Sequence, residues 1–134
     1  MRTRTYDGKE QVYCPWRRKY VRLTPEEWVR QTFLQLLVEQ YDYPKGLISV
    51  EAFLPDGKRA DAVVYSRTLT PLMIIEFKAD TVALNQKVID QAVVYNRQLH
   101  VPYLVLNNGL GTIVVRVEEH EHIYLQDIPR WTQL

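Results

Sequence analysis

The run Val101–Asn107 reads VPYLVLN, almost continuously apolar, and it follows directly on a stretch with helical spacing. A strand without polar alternation is buried on both faces, so the chain has to cover a sheet from either side. The stretch before it, TVALNQKVIDQAVVYNRQLH, repeats apolar residues at Val82, Val88, Ala92, Val93 and Leu99, which predicts a helix. A helix feeding a buried strand is the connection that a parallel crossover needs. Upstream, LTPEEWVRQTFLQLLVEQY opens with Thr24 as an N-cap, Pro25 at the first helical position and Glu27 completing a T-x-x-E capping box. Val29, Phe33, Leu36 and Leu37 follow at helical spacing, and the helix is expected to end near Tyr43–Gly46. Between the two helices lie three strand patterns: LISVEAFL, which stops at Pro55-Asp56-Gly57, then RADAVVY and PLMIIEFK. After Asn108-Gly109 come GTIVVRVE and a short IYLQDI. The order of helix, three strands, helix, and two or three strands implies an α/β fold, a three-layer α/β/α sandwich around one mixed sheet.

At 134 residues, 46% hydrophobic and 25% charged, the chain suits one domain spanning residues 1–134. No run of about 18 apolar residues is present to cross a membrane, and MRTRTYDGKEQ has no apolar stretch behind its basic residues, so no secretory signal is expected. Cys14 is the only cysteine. It excludes an internal disulfide and a cysteine-built zinc site, favours a reducing, cytoplasmic location, and is expected to be a buried or inert thiol. Residues 1–22 carry Arg2, Arg4, Lys9, Arg17, Arg18, Lys19 and Arg22 against Asp7 and Glu10, so this segment is +5 while the remainder is −4. Tyr6, Tyr13, Trp16 and Tyr20 are interleaved with those cations. Such a basic arm can hold a nucleic-acid backbone, with Arg17, Arg18 and Lys19 as the contacts, or it can be a solvated surface.

The second and third strands carry Asp61, Glu76 and Lys78, charges that are costly in a sheet unless paired or used. Reflecting Asp61 through the midpoint of the connecting loop, between Thr68 and Leu69, lands on Glu76. In a regular hairpin the two face each other with Cβ atoms about 4.5–5.5 Å apart, and Lys78 shares their face about 7 Å along the strand. Facing carboxylates repel, and a divalent cation resolves the conflict. An all-oxygen set suits Mg²⁺ or Mn²⁺ and a phosphate ester substrate, with Lys78 placed to orient water or neutralise developing charge. Two other readings stay open: a plain cross-strand ion pair through Lys78, and a glycosidase-like or solute-hydrolysing carboxyl pair without metal.

The arrangement Asp61, then Glu76-Phe77-Lys78, after a helix and a strand, resembles the core motif of the PD-(D/E)XK nuclease superfamily, and Gln91 and Tyr95 resemble the Q-x-x-x-Y element of its RecB-type members. CPWRRKYVRLTPEEWVRQ, GKRADAVVY, IIEFKA, DQAVVYN and YLVLNNG together resemble the domain at the N-terminus of the type I restriction enzyme R subunit, from about Val12 to about Leu125. The resemblance implies a restriction-endonuclease-like fold, magnesium (or manganese) dependence and DNA as substrate. It also implies Asp61 and Glu76 as metal ligands, Lys78 as catalytic lysine, Gln91 at the substrate, and Tyr95 either there or in packing. A first-helix glutamate at the metal would be Glu26 or Glu27. Helicase or translocase and methyltransferase subunits, or a second copy of the chain, would be partners. A fold retained without turnover, serving as a nucleic-acid-binding or assembly module, is the alternative. In two respects the chain departs from these relatives: Ala60 stands where the superfamily name has Pro, and no G-x-x-x-x-G-K-[ST] motor loop is present.

The cluster Glu118-Glu119-His120-Glu121-His122 reads as a solvated hairpin rather than a metal site, since alternation leaves no third ligand beside its histidines. Trp28, Phe53 and Trp131 are expected in the core, and His100 at the C-terminal end of the second helix.

Overall fold

A computed structural model describes residues 1–134. Two sheets are present. β1 (Thr3–Tyr6), β2 (Lys9–Cys14) and β3 (Lys19–Arg22) form an antiparallel three-stranded sheet from the basic segment expected as an arm. Then follow α1 (Pro25–Tyr41), β4 (Ile48–Phe53), β5 (Arg59–Tyr65), β6 (Pro71–Phe77), α2 (Gln86–Leu99), β7 (Tyr103–Asn107), β8 (Thr112–Val117) and β9 (His122–Leu125). The six strands β4 to β9 lie side by side in chain order. All pair antiparallel except β6 and β7, which run parallel, with Met73 opposite Tyr103 and Phe77 opposite Asn107. α2 is the crossover between them, as the buried run after it implied.

The helices cover opposite faces. Phe33, Leu34 and Leu37 of α1 pack on Ala62, Val64, Met73, Ile75 and Val105, whereas Ile89 and Val93 of α2 pack on Leu104, Leu106, Val115 and Val117. All five residues of β7 are buried, because neighbouring residues point into different cores.

The capping signals act as read, with differences at the ends. The Thr24 hydroxyl accepts from the Glu27 N–H at 3.1 Å, but the Glu27 carboxylate turns to Arg17 and Gln31 instead of returning to the cap. α1 stops at Tyr41, because Asp42 enters the left-handed region (φ 64°). α2 begins only at Gln86, where the Asn85 side chain accepts from the Val88 N–H, so Val82 lies outside the helix. His100 closes α2 in the left-handed conformation. The expectation of a buried Trp28 and Phe53 is corrected: they are 47% and 71% exposed, while Trp131 packs edge-on against Tyr43. Trp28 falls off the stripe that α1 turns to the sheet, and Phe53 ends an edge strand. His120 and Glu119 are solvated. No helix is long and apolar enough to cross a membrane.

Candidate active site

The β5–β6 hairpin decides which charges meet. Its loop is tied by the Ser66 hydroxyl, which accepts from the backbone N–H of Thr68 and Thr70, and by the Ser66 N–H, which donates to the Thr70 carbonyl. Next to the loop Tyr65 pairs with Pro71, but beyond it Val64 pairs with Met73 and Ala62 with Ile75. A bulge between Val64 and Tyr65 shifts the register by one. Continued one step, the shifted register sets Asp61 opposite Glu76. Without the bulge Asp61 would oppose Ile75, and the two carboxylates would point to opposite faces.

The two side chains are in contact. Asp61 Oδ2 also accepts from the Phe77 N–H at 2.7 Å. Burial pushes the Glu76 carboxyl up to about 8, helped by the Asp61 charge and by its hydrogen bond to Asp61, while Lys78 pulls the other way. At neutral pH Glu76 therefore keeps its proton in place of a second negative charge. Lys78, exposed at the end of β6, extends the parallel ladder through its N–H to the Asn107 carbonyl at 2.7 Å.

Glu76 and Lys78 line a cleft of about 510 Å³ with Gln91 and Tyr95 from α2 and with Lys58 and Arg59 from the start of β5. Gln91 is exposed there. The Tyr95 hydroxyl is committed elsewhere: it donates to Asp56 at 2.9 Å, its ring lies under the Lys58 ammonium, and burial with the Asp56 hydrogen bond lifts its pKa to about 12. Asp56 itself is lowered, first by the Lys58 backbone N–H. Lys58 and Arg59 were not singled out from the sequence. Their signal was there in the Pro55-Asp56-Gly57 turn, which starts β5 two residues before Asp61 and so sets Arg59 on the carboxylate's face.

The first-helix glutamates separate. Glu27 is buried, with its carboxylate paired to the Arg17 guanidinium and to Gln31 Nε2 at 3.0 Å. Glu26 is exposed and lines a second cleft of about 270 Å³ that also contains Lys78 and Asp80. Of the two, Glu26 is the one placed near the lysine. Arg17 is only 16% exposed, paired to Glu27 and 3.6 Å from Glu51, and its Nε donates to the buried Cys14 Sγ. It is held inward, while Arg18 and Lys19 are exposed. Glu51 sits between the pairs Val50–Ala62 and Ala52–Ala60, where a regular strand would aim it at the face of Asp61. Its left-handed backbone (φ 54°) turns it instead to Arg17 and Arg30, each at 3.6 Å. A third carboxylate is thus kept off the pair, and no cluster of three or more metal-ligating side chains forms.

Compared with known proteins, residues 25–129 match the family model described as the type I restriction enzyme R protein N terminus. The chain belongs to this family. Its fold resembles that of a fragment of a putative HsdR subunit of a type I restriction enzyme from Vibrio vulnificus YJ016, with TM-score 0.59 and 17% identity, over 83% of this chain and 24% of that one. The R-protein-like chain thus spans about a quarter of that structure's length. A weaker likeness, TM-score 0.47 and 18% identity over 76% of this chain and 10% of the other, is to the DrdV–DNA complex. Among curated proteins nothing matches. The mixed α/β architecture agrees with a restriction-endonuclease-like fold.

Proposed function

We propose that this chain is a metal-dependent DNA endonuclease-like domain of the PD-(D/E)XK type, hydrolysing phosphodiester bonds. The observation that carries the reading is the Asp61–Glu76 contact, a carboxyl pair in which Glu76 keeps a proton in place of a second negative charge, beside Lys78 and open to a cationic cleft. Such a pair fits a hard divalent cation, Mg²⁺ or Mn²⁺: carboxylate oxygens are its preferred donors, and its charge removes the repulsion that now raises Glu76. When bound, the ion supplies Lewis acidity and positive charge at the phosphate.

The chain's own residues do the rest. Phe77 N–H fixes Asp61, so the carboxylate is preorganised at no further entropic cost. Lys58, Arg59 and Lys78 neutralise the incoming phosphate, Gln91 contacts the substrate from α2, and Lys78 holds a water or the developing charge. Glu26, next to Lys78, is the first-helix carboxylate in position to assist. DNA is the expected partner, with translocase or methyltransferase subunits, or a second copy, in a larger assembly.

Supercoiled plasmid incubated with wild type and with Asp61→Ala or Glu76→Ala, in Mg²⁺, Mn²⁺ or chelator, tests this reading. Nicking by wild type alone, and only with metal, is expected, with losses of at least about 100-fold in the variants. Equal nicking by all three proteins would overturn the reading. DNA binding without nicking in any metal would assign the chain to the alternative, a binding or assembly module, which the lack of a third metal-ligating side chain favours.

A further inference from the structure

The three-stranded sheet lies outside the residues that match the family, which begin at residue 25. Its two faces differ sharply. Val12 and Cys14 are fully buried, so the face that carries them lies against the body at that end, while Thr3, Thr5, Glu10 and Lys19 on the same face stay exposed. The register puts the opposite set on the outer face: Arg4, Gln11 and Arg22 in one row, Tyr13 and Tyr20 with Arg2 in the next, and Tyr6 with Lys9 in the third. Four cations and three tyrosines share this surface with no carboxylate, since Glu10, though exposed, belongs to the other face and Asp7 sits in the turn.

The tyrosines are already occupied. The Arg2 guanidinium lies over Tyr13 at 4.3 Å, and that of Arg4 over Tyr20 at 3.8 Å and Tyr6 at 5.0 Å. Arg4 Nε is further fixed by Gln11 Oε1 at 2.8 Å. Arginines stacked on Tyr13 and Tyr20 compete with an unpaired base for those rings, and they lose little freedom when their outward N–H groups meet an anion. Repulsion among four cations costs stability unless an anionic partner offsets it.

We propose that the outer face of the β1–β3 sheet is a sequence-independent docking surface for the phosphate backbone of duplex DNA, contacted through Arg2, Arg4, Lys9 and Arg22. The choice of DNA rests on the endonuclease-like reading above. The contact is electrostatic, so each phosphate neutralised releases counterions and adds about 0.9 to the salt slope.

The test is the anisotropy of a labelled duplex of about three helical turns, titrated with full-length protein in chelator across a range of NaCl. Chelator keeps binding separate from cleavage, and nicking by wild type in Mg²⁺ is scored independently. The quadruple variant R2Q/R4Q/K9Q/R22Q should melt like wild type, bind at least about tenfold more weakly and lose about 3 to 4 units of salt slope. Tyr13→Leu with Tyr20→Leu should weaken binding while the slope stays. The proposal is overturned if the quadruple variant keeps the wild-type Kd and slope, or if wild type does not bind duplex. It also fails if a single strand of equal length binds much tighter than duplex, or if polyglutamate competes as well as DNA at equal charge. Loss of plasmid nicking with duplex binding intact would sink the endonuclease reading and leave the docking surface standing.

Discussion

Glu76 carries a proton at neutral pH that an unfolded glutamate would have lost, because burial and Asp61 raise it to about 8. Between the unfolded value near 4.3 and about 8 the folded chain binds more protons than the unfolded chain, so this group makes stability fall as pH rises through that window. Glu76→Gln removes the titration. Its unfolding free energy should therefore exceed that of wild type increasingly from pH 5 to about pH 8, by up to a few kcal/mol; parallel pH dependences of the two proteins' stability across that range would refute the retained proton. The two first-helix glutamates call for opposite outcomes. Glu27→Ala strands the nearly buried Arg17 guanidinium and should cost about 3 kcal/mol in chemical denaturation, whereas Glu26→Ala should leave the midpoint alone and slow nicking about tenfold. Sequence spacing offered both residues for one role. Burial separated them, since the carboxylate that faces Arg17 is decided by the β2–β3 turn, which comes from residues before the helix.

At the level of elements, α2 holds the cleft in two ways. Asn96 Nδ2 donates to the Tyr103 carbonyl at 3.0 Å, securing the crossover, and Tyr95 reaches across to Asp56 in the β4–β5 turn. Tyr95→Phe keeps the ring under Lys58 and loses only the Asp56 bond. It should lower the melting temperature by no more than a few degrees with kcat unchanged; a large drop in kcat at wild-type stability would instead place the hydroxyl in the chemistry. The helix start at Thr24, the existence of α2, the crossover into VPYLVLN and the β5–β6 hairpin were readable, because capping and periodicity are local, whereas the helical spacing from Val82 runs through Asn85, the cap that starts α2. The bulge was not. The reflection reached Glu76 by counting Pro71 into the loop, and the structure reaches the same pairing with Pro71 in register and one extra residue, Leu72, in β6.

For the whole molecule, a bound divalent cation should appear as a change in folding stability, since only the folded hairpin brings Asp61 and Glu76 together. Mg²⁺ or Mn²⁺ at about 100 times its Kd should add about 2.7 kcal/mol to wild type and nothing to Asp61→Ala; equal melting curves with and without metal would argue against the site. The alternation of helix and strand patterns by itself determined the layering, because a strand as apolar as Tyr103–Leu106 leaves both sheet faces to be covered by the two amphipathic helices. The candidate carboxylates and lysine were likewise visible, as charges that a strand does not carry without cause. Only the tertiary structure decided that residues 3–22 form a sheet with one face free of acids, that Arg17 is spent on Glu27 and Glu51, and that Lys58 and Arg59 join the cleft. Those outcomes depend on which residues from distant parts of the chain compete for the same charge, and such competition has no period in the sequence.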